Sequence, residues 1–282
     1  MKTKVAFKSQ EGKTAVLKFY DSFLKKWPLP NEKFYVKTRF GSTFIIATGE
    51  KDAPPVVLLH GSAFNSLMWL GDSREYSHNY RVYAVDIPGE PGKSDETQLP
   101  FGGPAFGEWL LDVFKALKLE KASLVGISLG AWLSLKFSIS YPEKVDKLVL
   151  LCPAGIGQLK TSFLLKVLVY MLLGEKGMDK LYQKINGNQP LPKVVLEYEK
   201  LIGKNFNFRR EKIPLFSDLE LKQLSMPVIL FVGEKDIMFH SAVTAKRLGN
   251  LLPHAKINVL PGDGHTLIHL TDKIISFLKS EP

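Results

Sequence analysis

One cysteine, Cys152, is present among 282 residues. That excludes a disulfide within the chain, and with it the small secreted scaffolds that depend on such bonds; it suits a reducing cytoplasm. Arginine is scarce. Only six of the 38 basic residues are arginine (Arg39, Arg74, Arg81, Arg209, Arg210 and Arg247). Nucleic-acid readers use clustered arginine forks, whereas the lysines here are scattered. The net charge of +10 therefore describes a solvated surface with a mild preference for anions, and no nucleic-acid partner is expected. Long apolar runs are missing too. The longest, residues 162–173, is broken by Lys166, and a bilayer span needs about 20 residues, so no stable membrane insertion is expected. The N-terminus sets Lys2, Lys4, Lys8, Glu11, Lys13 and Lys18 close together with no apolar core between them, unlike a signal peptide. A soluble cytoplasmic protein is the expectation.

What is present is ordinary for a globular protein: 45% hydrophobic and 23% charged residues, values that exclude wholesale disorder. Residues 12–26 place Ala15, Val16, Phe19, Phe23 and Leu24 at helical spacing, and Trp27-Pro28 stops the helix. Residues 34–39 and 43–48 alternate around Gly41-Ser42, as a hairpin does. Then the pattern changes. Residues 56–59, 82–85, 123–125, 147–151 and 228–232 are short apolar runs without alternation, the mark of parallel strands buried on both faces. Helical patterns such as 107–119 and 129–140 lie between them, which predicts an α/β doubly wound sheet. Residues 155–224 break the rhythm: they contain helical patterns (162–173, 178–185, 193–202, 218–224) and no strong strand signal. The expected organisation is a core of residues 1–154 and 225–282 with a helical cap, or lid, inserted at 155–224.

The strongest local signal is Gly126-Ile127-Ser128-Leu129-Gly130, between an apolar strand and an apolar helix. A serine on such a strand-to-helix turn is presented as a nucleophile. A serine hydroxyl needs a base. Of six histidines, His265 in Pro261-Gly262-Asp263-Gly264-His265 follows the apolar run 257–260 on a Gly-rich loop, and it is the best placed. His269 reads as a surface or core residue and His254 lies at the wrong end of the strand. An orienting carboxylate completes the set. Asp236 in Gly233-Glu234-Lys235-Asp236 again follows a strand; Glu234 is the rival, and a helix N-cap is the plain structural reading of Asp236. Ester chemistry develops an oxyanion, which backbone N–H groups stabilise. Leu129 is expected to supply one, and the loop His60-Gly61-Ser62-Ala63 the other, with Ser62 ahead of Ala63. His60 is read as pinning that loop by a hydrogen bond. Cys152, with no histidine near it in sequence, is read as a small buried hydrophobe.

Taken together these motifs resemble the α/β-hydrolase superfamily over nearly the whole chain: His60-Gly61 after the third strand, Asp86-Ile87-Pro88-Gly89-Glu90-Pro91-Gly92-Lys93-Ser94 after the fourth, Ser128 after the fifth, Asp236 after the seventh and His265 after the eighth. The finer likeness is to small carboxylesterases of the Bacillus type. The resemblance implies an α/β-hydrolase fold with a mostly parallel eight-stranded sheet flanked by helices, a helical cap, a covalent acyl-enzyme, and no cofactor or metal. Ser128 sets the chain apart from dehalogenases and epoxide hydrolases, whose nucleophile is aspartate, and Leu129 from haloperoxidases, which carry Met there. Glu90-Pro91 departs from the superfamily's usual, more basic pair, which weakens any analogy about the pocket.

Candidate pocket residues are Phe64, Met68 and Trp69 after the oxyanion loop, Leu168 and Met171 in the cap, and Met238 and Phe239 after the acid. They predict a small, largely apolar ester cleaved by a Ser-His-Asp triad. The apolar residues of 163–173 run nearly all round the helix, which predicts burial rather than contact with lipid. Two other readings share these residues: a triad-retaining small-molecule binding or signalling protein with slow turnover, and a thioesterase, lactonase or C–C bond hydrolase.

Overall fold

Successive side chains of a strand point to opposite faces, so a strand that is apolar throughout needs a core on each side. The computed structural model describes residues 5–187, 192–267 and 269–281. Strands β1 (Asn31–Thr38), β2 (Gly41–Thr48), β3 (Pro55–Leu59), β4 (Arg81–Val85), β5 (Ala122–Ile127), β6 (Val145–Leu151), β7 (Val228–Gly233) and β8 (Lys256–Leu260) form one sheet in the order β1-β2-β4-β3-β5-β6-β7-β8. β1 and β2 make the antiparallel hairpin and β2 runs antiparallel to β4. All pairings from β4–β3 through β7–β8 are parallel, the mostly parallel eight-stranded sheet expected.

The helices are α1 (Gln10–Leu24), α2 (Ser73–Ser77), α3 (Ala105–Ala116), α4 (Leu129–Ser140), α5 (Thr161–Leu172), α6 (Gly174–Ile185), α7 (Lys193–Asn205), α8 (Asp218–Leu221), α9 (Ser241–Leu251) and α10 (Thr271–Lys279). Val57, Leu59, Leu124, Leu230 and Val232 point to one face and join Trp109 and Phe114 of α3, Trp132 and Phe137 of α4 and Leu248 of α9 in a single core. Val56, Leu58, Val125 and Phe231 point to the other and join Tyr20 of α1, Tyr76 of α2 and Phe277 of α10. The missing alternation in the sequence is thus the sum of two interleaved period-2 patterns. α1 begins before the predicted 12–26 because Ser9 caps it, its side chain accepting the Gly12 N–H.

α5 to α8 lie between β6 and β7. α7 is tied down: Tyr198 and Ile202 enter the second core, and the Tyr198 ring stacks on Phe19 with centroids 4.5 Å apart. α5 differs from the expectation. Of its residues only Phe163 is buried; Leu164, Leu165, Leu168, Val169, Met171 and Leu172 are exposed. Its main packing partner is α6, and one partner covers one side of a helix. Leu168 and Met171, expected in the pocket, stand on the uncovered side. Among the described residues no helix is long and apolar enough to cross a membrane.

Candidate active site

β5 ends at Ile127 and α4 begins at Leu129, so Ser128 alone turns the chain. Its backbone sits at φ 53°, ψ −108°, a sparsely populated region that costs roughly 1–3 kcal/mol and persists only where the surroundings impose it. They do so here. The Ser128 N–H donates to the Leu151 carbonyl at 2.9 Å, and its own carbonyl accepts from Trp132 at 3.0 Å and Ala154 at 3.3 Å. The two glycines of the motif follow from close backbone crossing. A Cβ on Gly126 would lie 2.4 Å from the Gly130 oxygen, and one on Gly130 would lie 2.1 Å from the Leu59 oxygen.

Asp236 sits in the loop after β7. Its Oδ1 accepts the N–H groups of Met238 at 2.6 Å and Phe239 at 3.1 Å, and its Oδ2 accepts from His265 Nδ1 at 2.7 Å. A carboxylate partner assigns the Nδ1 proton to this bond and leaves Nε2 unprotonated on the neutral ring. Burial pushes the Asp236 carboxyl up, but His265 and the two N–H donors outweigh it and hold the pKa below the usual value. Burial likewise disfavours the charged imidazole, yet the adjacent Asp236 carboxylate prevails and the His265 pKa is raised above that of an ordinary histidine. Two segments from between β6 and β7 clamp the pair. The Ile185 carbonyl, at the end of α6, accepts the His265 N–H at 2.8 Å. Lys160, just before α5, donates its Nζ to the Asp236 carbonyl at 2.6 Å. The Phe239 ring lies 5.4 Å from the His265 ring.

β5, β6, β7 and β8 are neighbours in the sheet and parallel. Residues following them therefore emerge at one edge: Ser128, Cys152, Asp236 and His265. Cys152 has no histidine near it in sequence, but the fold brings His265 to it. Cys152 is buried at the end of β6 with φ 41°, and the donor atoms of Cys152, Asp236 and His265 lie within 4.8 Å of one another. Cys152 shares with Ser128, Asp236 and His265 the position of a reactive side chain just past a sheet strand. Among the described residues Cys152, Asp236 and His265 form a donor set of the kind that holds a metal ion, although both Asp236 oxygens already accept hydrogen bonds.

The loop after β3 faces Ser128. His60 is buried; its Nε2 accepts the Ile87 N–H at 2.9 Å, which puts the ring proton on Nδ1, bonded to the Gly61 carbonyl at 2.8 Å. Burial lowers its pKa and keeps it neutral. Ala63, at φ 55°, gives its N–H to the buried Glu90 carboxylate at 2.7 Å, so of the two donors considered for the oxyanion Ala63 is engaged elsewhere. Glu90 also accepts from Ser62 Oγ at 3.3 Å and pairs with Arg209 Nε at 3.2 Å. Burial pushes the Glu90 carboxyl up, against the pull of Arg209 and these donors. Arg209 in turn donates to the Leu99 carbonyl at 2.6 Å and lies over the Phe101 ring. This Glu90–Arg209 pair was not visible in sequence; Glu90 stood out only as a departure from the superfamily's pattern.

The pocket candidates separate. A Cβ on Gly61 would lie 3.6 Å from Met68 Cε and 3.8 Å from Ser128 Cβ, which puts Met68 beside the serine. Phe64 packs edge-on to Tyr198 at 5.6 Å. Met238 and Phe239 bind the acid through their N–H groups. Trp69 instead is buried in the core on the α1 side of the sheet, where it cannot line a cleft. Glu234, His254 and His269 are exposed, whereas Asp236 and His265 are buried.

A model described as the alpha/beta hydrolase family matches residues 56–273. The Bacillus subtilis carboxylesterase YbfK is 34% identical over 274 residues, covering 92% of this chain and 92% of that protein. Its crystal structure superposes with a TM-score of 0.86 over 96% of this chain and 100% of that one, at 32% identity. The crystal structure of naproxen esterase (carboxylesterase NP) from Bacillus subtilis gives 0.85 over 96% and 100%, at 28% identity.

Proposed function

The chain belongs to the α/β-hydrolase family, and we propose that it is a carboxylesterase in which Ser128 is the nucleophile, His265 the general base and Asp236 the residue that fixes the imidazole. The observation that carries this reading is the 2.7 Å bond from His265 Nδ1 to Asp236, made at the sheet edge where Ser128 is held in a strained turn. Ser128 Oγ attacks the ester carbonyl and passes its proton to His265 Nε2. The Leu129 N–H, at the first turn of α4 and so without a helical acceptor, and the Ser62 N–H stabilise the oxyanion. Collapse breaks the C–O bond, and the alcohol leaves with the proton from His265. Water then enters, gives its proton to His265, and hydrolyses the acyl-enzyme by the same route.

Met68, Phe64, Met238 and Phe239 supply apolar surface for the non-reacting part of a small ester. The helices of residues 155–224 act as a lid, supported by the bonds from Lys160 and Ile185 to the Asp236 and His265 loops. The single buried cysteine fits a cytoplasmic location. Short-chain p-nitrophenyl esters and a fluorophosphonate probe test the reading. Wild type should hydrolyse the ester with saturation and be labelled once. Ser128→Ala should fold, resist labelling and lose activity by a factor on the order of 10³ to 10⁶. Labelling at another serine, or an active Ser128→Ala, would overturn it.

A further inference from the structure

α5 carries a face that ester hydrolysis leaves unexplained. At about 100° per residue, Leu164, Leu165, Leu168, Val169, Met171 and Leu172 fall on one side of the helix, and Phe163, Val167 and Tyr170 on the other. The second set packs inward; the first is open. Leu165 is 66% exposed, Leu168 57%, Met171 60% and Leu172 80%. Side chains at these spacings touch one another, so this is one contiguous apolar strip, a feature that soluble monomers rarely leave bare.

The charges around the strip choose its occupant. No Asp or Glu occurs between Asp146 and Glu175, so α5 and its approach carry no negative charge at all. Lys166 on α5, and Lys176 and Lys180 on α6, are exposed. Of the two acids on α6, Asp179 is paired with Lys200 at 2.9 Å. A second copy of this chain would bring two such cationic hairpins, and two net charges of +10, face to face. An anionic surface turns the same charges into attraction. An apolar strip with lysines on the same helical hairpin is what an interfacial segment presents to lipid.

We propose that α5 docks on an anionic lipid surface, with Leu165, Leu168 and Leu172 entering the acyl boundary and Lys166, Lys176 and Lys180 meeting the headgroups. The docked helix adjoins the candidate active site: just before α5, the Lys160 N–H donates to the Met238 carbonyl at 2.7 Å and Leu159 bridges Phe239.

Co-sedimentation of the full chain with vesicles tests this without reading turnover, so the esterase assignment and the docking surface stand or fall separately. Wild type should bind vesicles of phosphatidylglycerol mixed with phosphatidylcholine, should bind pure phosphatidylcholine vesicles less, and should be released by added salt. Leu165→Gln/Leu172→Gln and Lys166→Gln/Lys176→Gln should each lower partitioning by on the order of tenfold. Glutamine keeps helix propensity and these side chains are exposed, so Tm should not change. Absence of binding to the phosphatidylglycerol vesicles, or a leucine variant that binds like wild type, overturns the proposal. So does a lower Tm in that variant, which would mean the face is packed within the chain. A wild-type dimer that the leucine variant dissolves, seen by light scattering, would assign the face to a second copy instead.

Discussion

The imidazole of His265 is surrounded by groups of opposite effect. Burial disfavours its charge, while Asp236 at 2.7 Å favours it more strongly. The sign of the outcome can be read from a pH profile. A base must be neutral to accept the serine proton. A raised pKa keeps His265 protonated to higher pH than a free histidine, so activity should rise with pH through a midpoint above about 6.5. Asp236→Asn removes the carboxylate that causes the shift. Turnover should fall by roughly 10⁴, and the midpoint of the residual activity should move down. Glu234→Gln should leave both unchanged, because Glu234 is exposed and its nearest partner is the Gly262 N–H at 3.3 Å. A crippled Glu234→Gln beside a mild Asp236→Asn would reverse the assignment.

At the scale of an element, the loop after β3 packs against the second core and is also tied by a buried charge pair. Glu90 and Arg209 are both buried, and such a pair adds little net stability while intact but is costly to break from one side. Glu90→Gln keeps the shape and an acceptor for the Ala63 N–H but leaves the Arg209 guanidinium without its counter-charge. Stability should drop by about 3–5 kcal/mol, seen as a lower Tm. With the proposed oxyanion donor on this loop, its displacement costs the transition state more than the ground state, and kcat should fall further than KM rises. The loss should stay below the 10² to 10³ expected for removal of an oxyanion donor outright. An unchanged Tm and kcat would show that the pair neither anchors the loop nor shapes the site. α4 is anchored by packing: it is apolar on nearly every side and buried along its length, which keeps the Ser128 turn from relaxing.

Across the whole molecule stability is uneven. β3, β5, β6 and β7 are buried on both faces, whereas α5 buries one residue of its twelve. Segments with few buried contacts open locally at low free energy. Hydrogen exchange followed by mass spectrometry should therefore find the amides of α5 exchanging orders of magnitude faster than those of α4 or β5, with α7 between them because Tyr198 and Ile202 anchor it. Protection of α5 equal to that of α4 would show the apolar strip to be covered in solution.

The sequence alone determined the features that depend on neighbours in the chain. Unbroken apolar runs declared strands buried on both faces, and Gly126-Ile127-Ser128-Leu129-Gly130 declared a turn that side chains at either glycine would block. The strand-end positions of Asp236 and His265 were legible for the same reason. Tertiary structure alone decided contacts between distant segments. Glu90 meets Arg209 across 119 positions, and Cys152 meets His265 because β6 and β8 flank β7. It also decided which side of α5 is covered. The composition of an apolar helix sets how much surface seeks burial, but whether a partner arrives to bury it depends on where the rest of the chain has folded, and here α6 covers one side and leaves the other to solvent.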